Sequence, residues 1–253
     1  MITDPWFYAA AIPAVFLFGV SKGGFGGGLG MLSVPLMALV ISPVQAAAIL
    51  LPLLCLMDVV SLWQFRFKWI TRELWIMLPG SIVGIAIGTL LFEYVSPDIL
   101  RLIVGVVAVW FTIDYWLSRR RSNEPQAAFP PAVGIGAGAV AGFTSFIAHA
   151  GGPPASMYLL RRPLNRTDFV ATAVFFFAVV NYVKLVPYSW LGQFDATNLV
   201  TSLVLAPLAP LGVLTGVYLH KRVSDRFFFF FVYVLLFLVG LKLIWDGLSG
   251  VLQ

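Results

Sequence analysis

The sequence predicts an all-α membrane protein: a polytopic helical bundle of two inverted repeats, each with a broken, re-entrant helical hairpin plus three transmembrane helices. The 253 residues are 60% hydrophobic and 11% charged, with a mean hydropathy of +0.94. A soluble domain has roughly 25% charged residues, because its surface must face water. Several apolar runs are also long, and glycine and proline interrupt two of them. These three observations exclude a soluble enzyme and place the chain in a lipid bilayer.

Six apolar runs are long enough to be complete spans, since crossing the hydrocarbon core takes about 20 helical residues. The other two apolar regions contain breaks and are predicted to be hairpins of two half-helices. In chain order the predicted elements are a broken region at 5–41, spans at 44–64, 73–95 and 98–117, a linker at 118–130, a second broken region at 131–160, and spans at 167–190, 198–219 and 226–248.

The breaks are the glycine-rich run at 21–30 and the His-Ala-Gly-Gly-Pro-Pro sequence at 149–154. Glycine and proline at this density end a helix and leave backbone amides without intrahelical partners. Such backbone survives at membrane depth only where it is buried in protein or lines a polar cavity. The breaks are therefore the first candidates for a functional site.

The two halves of the chain resemble each other, which predicts repeats at 1–117 and 131–253. The residues matched at one constant offset are Pro79, Gly84, Gly88 and Ser96 in the first half and Pro207, Gly212, Gly216 and Ser224 in the second. Three spans in each half, an odd number, invert one repeat relative to the other, an arrangement common in secondary transporters. If the broken regions cross completely, the chain instead has eight spans, and the sequence leaves this alternative open.

The basic residues predict the orientation. They concentrate in four loops, which contain Arg66, Lys68 and Arg72; Arg119, Arg120 and Arg121; Arg161, Arg162 and Arg166; and Lys221, Arg222 and Arg226. With re-entrant broken regions, all four loops lie on one side, which the positive-inside rule makes cytoplasmic. Both termini are then extracytoplasmic. Because the charge of +5 is spread over short loops, it does not indicate a nucleic-acid partner.

The predicted site is an anion site where the two breaks meet. The second half-helices, 29–41 and 154–160, begin at the breaks, and a helix N-terminus offers free N–H groups and roughly +0.5 charge. A lysine at this depth costs roughly 2.5–3.5 kcal/mol, so Lys22 is expected to contact substrate or a gate; the alternative is a contact with carbonyls at the break. His149 occupies the comparable place, with a purely structural role as its alternative. The candidate substrate-binding residues are Ser21, Lys22, Gly23, Gly24, Gly26, Gly27, Gly28, Thr144, Ser145, His149, Gly151 and Gly152.

Three other polar residues within spans, Asp58, Asn181 and Lys184, are candidates for coupling or gating. Asp58 precedes a predicted cytoplasmic loop and Lys184 an outer one, each about 10 Å from its rim by helical rise. They are thus predicted on opposite sides of the midplane and without a direct ion pair. A plain helix-to-helix hydrogen bond is the alternative role for Asp58.

Two motif matches carry little weight. The Gly26-x-Gly28-x-Gly30 pattern lacks the preceding strand and following Lys of a phosphate-binding loop. The Gly19-x-Ser21-x-Gly23 pattern matches a nucleophile elbow, which needs an α/β sheet. We therefore predict no enzyme activity, no cofactor and no metal.

The residues at 19–30, Gly-Val-Ser-Lys-Gly-Gly-Phe-Gly-Gly-Gly-Leu-Gly, with Val34-Pro35 and the second-half motifs at 142–145 and 151–153, resemble the TauE/SafE family of membrane permeases, the sulfite exporters. The resemblance covers nearly the whole chain. It implies the transport of a small anion (sulfite, sulfonate or a related organic anion) across the inner membrane. Together with the two inverted halves, this predicts a secondary active transporter that works by alternating access. A proton or sodium ion is the expected coupling ion, with Asp58 or His149 as proton carrier. The alternatives are an anion channel with the same midplane site and an intramembrane hydrolase; the particular anion, the direction of transport and the oligomeric state stay open.

Overall fold

The chain folds into a helical bundle in a computed structural model that describes residues 1–25, 30–92, 94, 96–120, 129–220 and 225–252. No strand occurs among these residues, so the predicted all-α membrane fold is confirmed. The helices are α1 (Pro5–Gly24), α2 (Ser33–Ala38), α3 (Pro43–Gln64), α4 (Thr71–Phe92), α5 (Pro97–Arg120), α6 (Pro131–Ala148), α7 (Gly152–Leu159), α8 (Arg166–Trp190), α9 (Ala196–Leu205), α10 (Leu208–His220) and α11 (Asp225–Val251), with a 3₁₀ turn, Gly30–Leu32, before α2.

Five of the described helices, α1, α3, α4, α6 and α8, are long and apolar enough to cross a membrane, and α9 with α10 makes a sixth if the bent pair is one span. The predicted span 198–219 corresponds to this pair, whose helices meet at an angle of 42°. Pro207 lies in the break between them. It lacks an N–H, and its ring clashes with the carbonyl one turn earlier. The helices α5 and α11 cover the predicted spans 98–117 and 226–248.

The first broken region returns to the end of the bundle where it starts. Before α1, the backbone N–H of Ile2 donates to Thr201 Oγ1 at 3.0 Å, and at the start of α3 the side-chain amide of Gln45 donates to Asn198 Oδ1 at 3.2 Å. Both partners lie near the start of α9, so α1 and α3 begin at one end, which we call the first end. Between them α2 runs back along α1, where Ser33 Oγ donates to the Ala14 carbonyl at 2.7 Å.

The second broken region returns to the opposite end of the bundle, the second end. There Arg162, just after α7, donates to the carbonyl of Phe129, just before α6, at 3.2 Å. Each broken region therefore begins and ends at one end of the bundle, and we call the two regions hairpins. The predicted half-helices 29–41 and 154–160 are observed as a 3₁₀ turn with α2 and as α7. The hairpins are unequal, because α1 with 20 residues and α6 with 18 are long arms and α2 and α7 are short ones.

Glycines bring three helix pairs into backbone contact, α1 with α10, α4 with α6 and α5 with α11, and the first two are the closest. A Cβ on Gly84 of α4 would lie 2.0 Å from the Ala139 carbonyl oxygen of α6, and one on Gly23 of α1 would lie 2.0 Å from the Val213 oxygen of α10. Real Cβ atoms do not approach so closely, so only glycine permits these contacts, as small residues do between transmembrane helices. These pairs, α1 with α10 and α4 with α6, fix the long arm of each hairpin in place.

Replacing Gly138 by Ala should destabilise the protein, whereas replacing Gly136 by Ala on the same helix should not. A Cβ on Gly138 would lie 2.1 Å from the Met77 carbonyl oxygen, while one on Gly136 meets nothing within 4 Å. Overpacking of this kind typically costs about 1–3 kcal/mol. Thermal unfolding of the detergent-solubilised variants, followed by tryptophan fluorescence, measures the difference. Equal melting temperatures for the two variants would contradict the α4–α6 contact.

Candidate functional site

The first of two polar clusters in the bundle joins α1, α3 and α8. The ammonium of Lys22 forms an ion pair with Asp58 Oδ1 and lies 3.5 Å from the Leu54 carbonyl oxygen. The Asn181 amide donates to the other carboxylate oxygen, Asp58 Oδ2, at 2.7 Å. All three polar side chains are buried, with exposed fractions of 3% for Lys22, 0% for Asp58 and 2% for Asn181. Both oxygens of the carboxylate therefore have partners, each from a different helix.

The second cluster is centred on Lys184 of α8, whose side chain is fully buried. Its Nζ lies 3.0 Å from the Ser145 carbonyl oxygen, 2.9 Å from Ser145 Oγ and 2.7 Å from His149 Nδ1. The other imidazole nitrogen of His149 lies 3.0 Å from the Ala47 carbonyl oxygen. Because a carbonyl can only accept, we assign the hydrogen to Nε2, which leaves Nδ1 as an acceptor for Lys184. The imidazole in this arrangement is neutral.

The backbone at His149 explains how the imidazole reaches this position. His149 ends α6 in the left-handed conformation, with φ 50° and ψ 27°. Residues other than glycine seldom adopt positive φ, and glycine or asparagine is usual where a helix ends in this way. Its amide still bonds to the Ser145 carbonyl, at 3.1 Å. The left-handed residue turns the chain out of α6 while keeping the imidazole beside Lys184.

A small cavity lies where the two breaks approach each other. Its lining residues are Phe18, Lys22, Leu54, Ser145, His149, Gly152, Phe177 and Asn181. The volume that the centre of a water molecule can occupy in this cavity is about 10 Å³. This is roughly the minimum volume for one bound water molecule. An anion of several heavy atoms needs more space than this. The side chains or helices around the cavity must therefore move apart to admit one.

The structure brings together some of the predicted site residues and separates others. The cavity is lined by five of the predicted residues: Lys22, Ser145, His149, Gly152 and Asn181. Asp58 and Lys184 do not line it but form hydrogen bonds to residues that do. Gly26, Gly27 and Gly28 lie outside the described residues. Whether any of these residues binds a substrate stays a prediction.

Five predicted ligands are not among the cavity-lining residues. Thr144 Oγ1 donates to the Val140 carbonyl of its own helix at 2.7 Å, and Gly23 faces α10. Ser21 and Gly24 are buried in α1 away from the cavity lining. Gly151 packs beside the Ala141 carbonyl and the Phe177 ring. The prediction took consecutive motif residues as one surface, whereas a helix turns successive side chains to different sides.

The sequence prediction missed the partner of Lys22, which is the Asp58 carboxylate rather than a row of carbonyls at the break. A signal was present, because α1 and α3 begin at the same end of the bundle and Lys22 and Asp58 lie at similar distances from their starts. Asp58 and Lys184 each have other partners among the described residues. This agrees with the expectation that they do not form a direct ion pair.

The helix N-termini supply fewer donors than predicted. The helix α7 begins at Gly152, and the next two residues, Pro153 and Pro154, have no N–H. Only the amides of Gly151 and Gly152 are left to point into the break. At the first break the α-helix begins at Ser33, after a 3₁₀ turn. The lysines therefore dominate the electrostatics of the site.

With both amines protonated, the two clusters hold a positive charge in excess. Lys22 and Lys184 face the single carboxylate of Asp58, and the imidazole of His149 is neutral. Charges buried away from water interact strongly, and an uncompensated one is costly. Among the side chains described in these two clusters, Asp58 is the one carboxylate, so one of the two ammonium charges has no counter-charge there.

The family model described as "Sulfite exporter TauE/SafE" matches residues 11–243, which include most of the first hairpin, the whole second hairpin and both polar clusters. The chain belongs to the TauE/SafE family. The resemblance seen in the glycine motifs is thereby confirmed, and the chain is a multi-pass membrane protein of a transporter family. The curated proteins and the solved structures gave no significant match.

The TauE/SafE chain also contains a buried ion pair that the sequence did not reveal. At the second end of the bundle, Glu73 of α4 accepts from Arg162 Nε at 2.9 Å and from Nη2 at 2.8 Å, and its other oxygen accepts from Tyr158 Oη at 2.7 Å. Glu73 is 3% exposed. In the sequence, Arg162 is one of three basic residues assigned to a loop. In the structure, its two hydrogen bonds to one Glu73 oxygen connect the end of α7 to α4.

Replacing Asp58 by Asn should destabilise the TauE/SafE chain strongly. The amide keeps the size of the carboxylate but leaves the Lys22 ammonium buried without its counter-charge. Removing one partner of a buried pair typically costs about 3–5 kcal/mol. Thermal unfolding in detergent measures the loss. As a control, the double variant Lys22→Met, Asp58→Leu should recover most of the stability, and a double variant as unstable as Asp58→Asn would contradict the pair.

Proposed function

We propose that this TauE/SafE protein is a secondary active transporter that moves a small anion, such as sulfite, a sulfonate or a related organic anion, across the inner membrane by alternating access. The observation that carries the proposal is the pair of buried lysines, Lys22 and Lys184, which share a single carboxylate, Asp58, beside the cavity. The cavity also presents the Ser145 side chain and two aromatic rings, Phe18 and Phe177. This combination suits a compact anion with hydrogen-bond acceptors.

The packing supports two inverted halves around this site. The long arm of the first hairpin, α1, packs on α10 of the second half, and that of the second hairpin, α6, packs on α4 of the first half. Exchanging the halves converts one pair into the other. The polar contacts exchange in the same way: Lys22 of the first hairpin bonds to Asp58 of α3, and Ser145 of the second hairpin bonds to Lys184 of α8. A site between such halves can be exposed to each side in turn.

Contacts on both sides of the cavity support a closed conformation. At the first end, Gln45 bonds to Asn198; at the second end, Glu73 bonds to Arg162. Alternating access requires one of these sets to separate while the other persists. The small volume of the cavity agrees with a state in which neither path is open.

Counterflow distinguishes a carrier from an anion channel with the same site. We expect unlabelled methanesulfonate or sulfite inside proteoliposomes to accelerate the uptake of the labelled anion from outside, because a carrier returns faster when loaded. A pore gives no such acceleration. Protein-free liposomes are the control, since sulfite in equilibrium with sulfur dioxide crosses lipid unaided. Uptake that the internal unlabelled anion does not accelerate would indicate a channel rather than a carrier. An absence of transport would reject the proposed function.

Replacing Lys22 by Ala should weaken anion binding by about tenfold or more, which corresponds to roughly 1.4 kcal/mol. The change removes a positive charge and leaves the Asp58 carboxylate facing the anion. Lys22→Arg should rescue only part of the affinity, because guanidinium geometry differs from that of an ammonium. Isothermal calorimetry with methanesulfonate measures the affinities. Lys242→Ala is the matched control, since Lys242 is exposed and pairs with Asp246, and equal affinities for the Lys22→Ala and Lys242→Ala variants would contradict the site.

The proposed orientation places the second end of the bundle in the cytoplasm and both termini outside. Alkaline phosphatase fused after Gln253 in a bacterial host should be active, because the enzyme matures only outside the cytoplasm. The same reporter fused after Lys68, between α3 and α4, should be inactive. Green fluorescent protein should give the opposite pattern. An inactive phosphatase at the C-terminus together with an active one after Lys68 would reverse the orientation.

A further inference from the structure

We propose that Lys184 takes up a proton when the anion binds and releases it when the anion leaves, so that the protein moves an anion and a proton together. This inference rests on the proposed function. It assigns the coupling ion, and it places the proton on a residue other than Asp58 or His149, the two carriers expected from the sequence.

The two buried lysines have partners of different kinds. Lys22 is held by a carboxylate, Asp58, so its positive charge is compensated in the unloaded protein. The partners described for Lys184 are a carbonyl oxygen, a hydroxyl and a neutral imidazole nitrogen. None of these carries a negative charge. Lys184 is the buried amine whose charge an incoming anion would compensate.

The contacts of Lys184 fit both protonation states. As an ammonium, Nζ donates three hydrogen bonds, to the Ser145 carbonyl, to Ser145 Oγ and to His149 Nδ1. As a neutral amine it donates to the carbonyl and to Nδ1, and its lone pair accepts from the Ser145 hydroxyl, which can rotate to donate. No buried polar atom loses its partner in either state. Uptake or loss of the proton therefore needs only a rotation of the Ser145 hydroxyl.

The two expected carriers are less suited to this role. Asp58 accepts from a lysine and an amide through both oxygens, and protonating it would leave the buried Lys22 ammonium without its counter-charge. His149 already uses Nε2 for the Ala47 carbonyl and Nδ1 for Lys184. A proton added at Nδ1 would face the lysine directly.

The surroundings of Lys184 contain charged and titratable groups from each element packed against it. These groups are Lys22 on α1, Cys55 and Asp58 on α3, His149 at the end of α6 and Tyr188 on α8 itself. Lys22 and Asp58 compensate each other. The charge on Lys184 therefore depends mainly on whether an anion is present.

Anion and proton stabilise each other at this site. An ammonium without a counter-ion inside the membrane is unfavourable, and an anion beside a neutral amine lacks a partner. By linkage, the anion raises proton affinity by the same factor as the proton raises anion affinity. On loading, a hydronium ion of the aqueous phase to which the site is open gives its proton to the Lys184 lone pair and becomes water. On unloading, the Lys184 N–H bond breaks and the proton passes to a water molecule of the phase that the anion enters. With Lys184 neutral the site carries no net charge, and with a monovalent anion and one proton it again carries none, so transport is electroneutral.

The test uses proteoliposomes that contain a pH-sensitive dye, with methanesulfonate as the probe. Methanesulfonate is fully ionised near neutral pH, so it carries no proton of its own. In the parent protein, an imposed methanesulfonate gradient should move about one proton per anion, and a membrane potential set with potassium and valinomycin should change the rate less than about twofold. Lys184→Arg keeps the charge permanently and should lose the proton flux while still binding methanesulfonate. Cys55→Ala and Lys242→Arg are the controls and should keep it.

A second measurement needs no variant. Calorimetry of methanesulfonate binding in two buffers with different heats of ionisation should show uptake of about one proton per anion. As pH rises through the range in which Lys184 of the unloaded protein is neutral, the affinity for methanesulfonate should fall by up to about tenfold per pH unit. Counterflow without proton movement in the parent would overturn this inference and leave the carrier intact. Proton flux that persists in Lys184→Arg would also overturn it. A parent that shows no counterflow removes both proposals.

Discussion

The exclusion of water from the bundle interior is the constraint on which the rest of the structure depends. A lysine at bilayer depth costs roughly 2.5–3.5 kcal/mol, and the chain buries two of them, Lys22 and Lys184, beside one cavity. The helices that surround them must therefore supply partners at fixed positions. Asp58 and Asn181 do so for the first lysine, and Ser145 and His149 do so for the second. These contacts tie α1, α3, α6 and α8 together at one place, so structural stability and the chemistry of the site have a common origin.

Much of the fold follows from local signals in the sequence. The predicted span 44–64 agrees with α3 to within one residue, because Ser42 caps the helix and Pro43 occupies its first turn. The hairpins were predicted because glycine and proline interrupt otherwise apolar regions. The bend at Pro207 was not, since Pro79 lies inside α4 without breaking it. Whether a proline interrupts a helix depends on its neighbours in space, which a single sequence does not show.

The position of the candidate site was predictable from the sequence, but most of its side-chain contacts were not. Lys22, Ser145 and His149 stand out because polar residues are rare in such apolar regions, and all three line the cavity. Which partner each one has depends on the alignment of distant helices, so the Lys22–Asp58 and Glu73–Arg162 pairs were missed. Thr144 and Gly23 were included because they adjoin the motifs, although helical geometry turns them elsewhere. The residues at 26–28 lie outside the described part of the chain.

The glycine contacts have a consequence for how the molecule can change shape. Because α1 is pressed against α10, and α6 against α4, each close-packed pair contains one helix from each half of the chain. The two sequence halves are thus interlocked. Neither half can move as a rigid body without separating helices whose backbones are in contact. A cleft that leaves these backbone contacts intact must open between the glycine-packed pairs. The moving units would then each contain helices from both sequence repeats, and the hinges would not lie at the boundary between the repeats.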